Sequence, residues 1–122
     1  NPHIPHNSPP DCVIYTGTHD NNTAKGWFEH ECNEESRKRF ADYIGHRVSN
    51  EQVHTEMIRL AMMSACRLAI IPMQDVLGLG ADARMNTPAT ETNNWEWRVP
   101  PSSTTPELTG YLRDMTHLYG RT

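Results

Sequence analysis

With 122 residues, 36% of them hydrophobic, and 7 Gly and 9 Pro spread unevenly, the chain is one domain at most and is thin in core-forming side chains. That shortage favours an incomplete domain, part of a larger fold. A net charge of −4, from 11 Lys+Arg against 15 Asp+Glu, removes the electrostatic footprint of a nucleic-acid binder and argues against an anionic membrane surface.

The opening Asn1-Pro2-His3-Ile4-Pro5-His6 has neither an initiator Met nor an apolar leader, and reads as cut from something longer. Residues 1–11, with four prolines and two histidines, read as an extended loop. Cys12-Val13-Ile14-Tyr15-Thr16-Gly17-Thr18 follows, apolar at consecutive positions as in a parallel strand covered on both faces, and ends in the polar cluster His19-Asp20-Asn21-Asn22. Helical signals come next: Trp27, Phe28, Phe40, Tyr43 and Ile44 supply apolar contacts, Glu34/Lys38 and Glu35/Arg39 are spaced i,i+4, and Gly45 suits a C-cap. The Arg37-Lys38-Arg39 run reads as a solvated helix face. A second helix starts at Ser49 or Asn50 and runs through Val53, Met57, Ile58, Leu60, Ala61, Ser64 and Ala65, with its methionines as packing groups.

Leu68-Ala69-Ile70-Ile71 is the longest apolar run, far too short to span a bilayer. Pro72 would break a helix there, so the run reads as a second short strand ending in Pro72-Met73-Gln74-Asp75. Residues 78–106, punctuated by Gly, Pro and Asn, read as a long loop of the kind that carries function. Thr105-Pro106-Glu107 then supplies an N-cap, an N1 proline and a first-turn acid for a helix with Leu108, Tyr111, Leu112, Met115 and Leu118 on one face. The order is an α/β pattern of two strand–helix units. Two such strands need neighbours that the chain does not contain.

Several residue groups invite chemistry. Side chains where a barrel strand ends sit at the mouth of the site, which is the place of His19 and Asp20; they read either as site residues or as a loop cap. Gln74 and Asp75 hold the equivalent place on the second strand. Gly78-Leu79-Gly80-Ala81-Asp82-Ala83 formally matches a dinucleotide fingerprint, but no helix starts at the glycines, so Gly78 and Gly80 read as turn residues. His3-x-x-His6 and His30-x-Cys32 fall short of the four convergent ligands of a zinc site, and no metal is expected. Cys12 reads as buried in its strand. Cys12, Cys32 and Cys66 are odd in number and lack CxxC spacing, which disfavours disulfides and indicates a reducing compartment, the cytoplasm. Asn21-Asn22-Thr23 is a glycosylation sequon without meaning there. Trp95 and Trp97 stand in a polar loop and read as packed rings or as a ligand face, with Asn86, Asn93 and Asn94 nearby offering the neutral donors and acceptors that sugar hydroxyls require.

Five ordered blocks carry a resemblance: 16–23 (Thr16-Gly17-Thr18-His19-Asp20-Asn21-Asn22-Thr23), Gly26-Trp27-Phe28, 72–80 (Pro72-Met73-Gln74-Asp75-Val76-Leu77-Gly78-Leu79-Gly80), Ala83-Arg84-Met85-Asn86-Thr87-Pro88 and Asn94-Trp95-Glu96-Trp97-Arg98. Together they resemble the C-terminal stretch of the 4-α-glucanotransferases (amylomaltases, or disproportionating enzymes), over nearly all of the chain. The resemblance implies part of a (β/α)8 TIM barrel of the α-amylase clan, with Val13 to Thr18 and Leu68 to Met73 as its last two strands. It also implies transfer of α-1,4-glucan segments between maltooligosaccharides by a retaining double displacement that needs no cofactor. Of that family's catalytic carboxylates only the transition-state stabiliser maps here, onto Asp20. His19 would touch hydroxyls of the transferred sugar, Asn86 would touch a sugar, and the Trp95 loop would shape the wall of the pocket. The nucleophile and the acid/base would lie upstream of Asn1, in the remainder of the barrel, so the chain alone is expected to be inactive. Asn22 stands where an aspartate is common, and Ala89 where a glycine often follows Thr-Pro. The competing reading is a non-catalytic α-glucan-binding or interaction module.

Overall fold

The structure, a computed structural model, describes residues 4–122. A single 3-10 turn, Pro5–Asn7, interrupts the expected N-terminal loop, and β1 follows at Val13–Tyr15. Next come α1 (Ala24–Gly26), which runs on as a π-helical turn over Trp27–Glu31, then α2 (Glu34–Ile44) and α3 (Val53–Met63). The chain returns as β2 (Leu68–Ile70), turns through α4 (Met73–Val76) and a 3-10 turn at Ala81–Ala83, and closes with α5 (Pro106–Leu118).

Local chemistry explains the boundaries. Thr23 Oγ1 accepts from Gly26 N at 3.0 Å and starts α1; the Asn33 side chain accepts from Ser36 N at 2.8 Å and starts α2. Gly45, at φ +94°, ends α2 and donates its N–H to Ala41 O at 2.8 Å. The N-cap of α5 is Thr105, with Pro106 in its first turn, as its sequence requires. The second helix begins three or four residues later than a start at Asn50 or Ser49, because the Ser49 carbonyl is spent on a turn, accepting from Gln52 N and Val53 N.

β1 and β2 pair in parallel with Ile14 opposite Ala69. Both strands are shorter than expected. Thr16 turns its hydroxyl to Asp75, Pro72 has no N–H to give, and Met73 already belongs to α4. One sheet face meets the helices; the other leaves Val13, Tyr15, Leu68 and Ile70 at 43%, 48%, 51% and 44% exposure. Coverage on both faces is therefore not met among the described residues. α3 is the centre of the packing. Val53 joins Phe28 and Cys32, backed by Trp27, Phe40 and Met57, while Ile58 and Met62 join Met115, backed by Ala69, Ile71 and Tyr111. Burial pushes the Cys32 thiol above its ordinary pKa, against the nearby Arg37 charge.

Three expectations are corrected. Cys12 is exposed, since it lies on the turn before β1 with its N–H given to Pro9 O. Lys38 pairs forward with Asp42 at 2.9 Å, and Arg39 keeps the expected partner Glu35 at 3.0 Å. Arg37 leaves the solvated face: its Nη2 donates to Phe28 O at 2.7 Å and its guanidinium lies 4.7 Å from the Phe28 ring centroid. Among the described residues no helix is long and apolar enough to cross a membrane.

Candidate functional site

At the carboxyl end of β1 the chain makes a tight polar turn. Asn21 Oδ1 accepts from Thr18 N at 2.8 Å and from Thr18 Oγ1 at 3.0 Å, and Asn21 N donates to Thr18 O at 3.1 Å. His19 and Asp20 stand at the tip, each about half exposed, with His19 Nε2 3.4 Å from Asp20 Oδ2.

The turn is anchored from below. Asp75, in α4, is 2% exposed and accepts from Thr16 Oγ1 at 2.6 Å and from Ala24 N at 2.8 Å, so one carboxylate fastens both ends of the segment that carries His19 and Asp20. Gln74 Nε2 donates to Ala83 O at 3.1 Å and fastens the start of the long loop. The strand-end pair Gln74-Asp75 thus supports the turn and the loop. Gly78 takes φ +68°, as a turn glycine should, whereas Gly80 has ordinary extended backbone. A Cβ at Gly78 would come within 2.7 Å of the His54 ring. Burial lowers the His54 pKa, Asp75 opposing and Lys25 reinforcing the shift, and His54 Nδ1 is buried with no partner among the described residues.

The loop after α4 folds back over the turn. Asn86 Nδ2 donates to Asp20 Oδ1 at 2.8 Å, and Arg84 Nη2 donates to Asp20 O at 2.8 Å. Trp95 N donates to Met85 O at 2.7 Å, and Asn94 Oδ1 accepts from Thr87 N at 2.8 Å, closing the loop at its neck. The Trp95 ring lies over His19, centroids 5.0 Å apart and planes tilted by 39°. It takes φ +60° and is 54% exposed, one face against His19 and the rest open; Trp97 is half-buried. Ala89 and Asn93 also take positive φ, 65° and 61°.

All four residues that the resemblance singles out, His19, Asp20, Asn86 and Trp95, are therefore brought together. Beside them lies a cleft of about 450 Å3 lined by Tyr15, His19, Ile70, Gln74, Arg84 and Trp95 among others. A larger hollow of about 950 Å3 lies against α2, lined by helix-surface charges such as Glu34, Lys38 and Asp42, and includes none of the four. The cleft's lining joins the rings of Tyr15 and Trp95 to the His19 imidazole, while Asp20 and Asn86 stand beside the cleft and not among its lining residues. Among the described residues no group of His, Cys, Asp and Glu could hold a metal ion; His3 lies outside them. Arg84 and Asp75 both stand inside blocks that carry the resemblance, and Asp75 also at a strand end, but their hydrogen-bonding roles have no signal in the sequence because those roles depend on residues far away in the chain.

The profile of the 4-alpha-glucanotransferase family matches residues 1–104. The 4-alpha-glucanotransferase of Synechocystis sp. is 48% identical over 122 residues, covering 99% of this chain and 24% of the relative. That of Solanum tuberosum, chloroplastic/amyloplastic, is 45% identical, covering 99% of this chain and 21% of the relative. Among solved structures, an amylomaltase from Streptococcus agalactiae in complex with acarbose superposes with a TM-score of 0.89 at 34% identity, over 98% of this chain and 24% of that one. This chain thus spans about a quarter of the length of these relatives. With a family profile across most of its length and a matching backbone, the chain belongs to the 4-alpha-glucanotransferase family.

Proposed function

We propose that this chain forms the last two strand–helix units of the (β/α)8 catalytic barrel of a 4-α-glucanotransferase, and that its cleft holds a glucose unit of the α-1,4-glucan segment being transferred. The convergence of Asp20 with Asn86, and of His19 with Trp95, across more than half of the chain carries this reading. The bare sheet face of Val13, Tyr15, Leu68 and Ile70 suits the interior of a barrel whose other strands come from the remainder of the protein.

In this scheme the remainder supplies a nucleophile and an acid/base, about 5 Å apart across the scissile bond, as retention of configuration requires. Asp20 accepts hydrogen bonds from ring hydroxyls, and these strengthen as the oxocarbenium ion develops. Asn86 holds Oδ1 of Asp20 in place, His19 reaches further hydroxyls, and Trp95 offers an apolar wall beside His19. Maltooligosaccharides are the substrates. The three free cysteines suit a reducing compartment, the cytoplasm.

Steady-state disproportionation of maltotriose by the full-length protein tests the assignment. Asp20→Asn lowers kcat about a hundredfold to a thousandfold, on the order of 3 to 4 kcal/mol, with KM little changed, because the lost bonds belong to the transition state. Asp11→Asn, placed before β1, leaves both constants near those of the parent. A near-normal kcat for Asp20→Asn, or a rise in KM alone, refutes the role.

A further inference from the structure

Resting on that reading of the site, we propose that Arg84 is a positioning residue for glucan transfer: its guanidinium fixes where Asp20 and Asn86 stand relative to one another. Arg84 Nη2 donates to the main-chain oxygen of Asp20 at 2.8 Å, and Arg84 Nε donates to the main-chain oxygen of Asn86 at 2.9 Å. The side chains of the same two residues meet directly, Asn86 Nδ2 to Asp20 Oδ1 at 2.8 Å. The three bonds close a ring through Asp20, Arg84 and Asn86.

Each part of the ring needs the others. The Asp20–Asn86 bond is solvent-exposed, where a lone hydrogen bond competes with water and contributes little net order. A planar guanidinium holds its diverging donors in a fixed fork that can span two fixed carbonyl oxygens at once, whereas a lysine ammonium, a point charge on a flexible stem, is less pre-organised to do so. The base that carries Arg84 is rigid. Its N–H donates to Ala81 O at 3.0 Å, and the preceding residue, the buried Ala83, gives its carbonyl to Gln74 Nε2. Arg84 forms no ion pair with a carboxylate among the described residues, so its hydrogen bonds serve the backbone of the two site residues.

The test is a double-mutant cycle in the full-length protein, read by steady-state disproportionation of maltotriose. Arg84→Met lowers kcat about 10- to 100-fold with KM within about twofold, the signature of a misplaced group that acts in the transition state. Arg84→Lys recovers part of that loss. In an Asn86→Ala background Arg84→Met costs far less than in the parent, since one of the two residues to be aligned is gone. If Arg84→Met does not fold, the same cycle built with Arg84→Lys decides, with a smaller but still kcat-selective loss expected. The proposal is overturned if the Arg84 variants keep the parent's kcat, if they raise KM alone, or if their losses multiply independently with that of Asn86→Ala. A parent protein without transfer, or one whose kcat ignores Asp20→Asn, refutes the functional reading and this inference together. An Asp20-dependent parent with an Arg84-independent kcat refutes the inference alone.

Discussion

Replacing Asp75 by alanine removes the carboxylate that fastens the end of β1 to the first helical turn. That carboxylate is 2% exposed and accepts two short hydrogen bonds, from Thr16 Oγ1 at 2.6 Å and Ala24 N at 2.8 Å. Bonds to a charged acceptor contribute roughly 1.5–3 kcal/mol each, giving about 3–6 kcal/mol before relaxation. Thr16 is half-buried and can turn its hydroxyl to water, and the variant no longer buries a charge; both effects lower the cost. The Ala24 N–H has no such escape, because Ala24 is itself buried. We expect Asp75→Ala to lose about 3–4 kcal/mol. Asp75→Asn separates shape from charge: its amide oxygen can still accept from Ala24 N while its amide nitrogen donates to Thr16 Oγ1, so about 1–2 kcal/mol is expected. Thermal unfolding of the full-length variants measures the difference, and amide exchange at Ala24 locates it. Equal costs for the two variants, or unchanged exchange at Ala24 in Asp75→Ala, would show that the Asp75 carboxylate does not hold the first helical turn.

Ala89 sits at φ +65°, a conformation that costs a non-glycine residue about 1–2 kcal/mol, against about 0.4–1 kcal/mol for the greater unfolded freedom of glycine. Ala89→Gly therefore raises the thermal midpoint, and a lowered midpoint would contradict this. Gly78→Ala combines a positive φ with a Cβ 2.7 Å from the His54 ring, and should lose about 2–4 kcal/mol; a loss below about 1 kcal/mol would mean that the ring yields freely. His54 has a lowered pKa when folded, so between its unfolded value near 6.5 and the folded one the unfolded chain binds more protons. Its contribution is intact above about pH 6.5 and is lost as pH falls through that window; His54→Gln should flatten this part of the thermal-midpoint profile, and an unchanged profile would show that His54 is not responsible. The 122 residues alone, with an apolar sheet face bare, should self-associate or unfold without cooperativity, whereas a monomeric cooperative transition by ultracentrifugation and calorimetry would overturn that.

Local signals were the legible part of this fold. Thr105-Pro106 and Gly45 mark helix ends through bonds made within a few residues, and the stripe through Val53, Ile58 and Ala61 declares the face that α3 buries. Strand length was not legible, because it depends on neighbours: Thr16 leaves the ladder for Asp75, far away in sequence. The same limit governs the site. His19 and Asp20 stand out by their place after a strand, and Asn86 and Trp95 through family resemblance. The Arg84 bonds to two main-chain oxygens exist only once the loop after α4 has folded back, and a carbonyl acceptor leaves no mark on residue identity. Arg37 teaches the same point in reverse: it sits in a charge run and yet folds against Phe28.

Whether this chain supplies one side of a glucan-transfer site decides the proposed function. Substituting the 122 residues for the matching stretch of the Synechocystis 4-alpha-glucanotransferase, and assaying the chimera on maltotriose, asks that directly. A folded chimera that makes longer maltooligosaccharides and loses that ability on Asp20→Asn is the expected result. A chimera that unfolds with the parent's cooperativity but transfers no glucan, or that transfers equally well with Asp20→Asn, would contradict it.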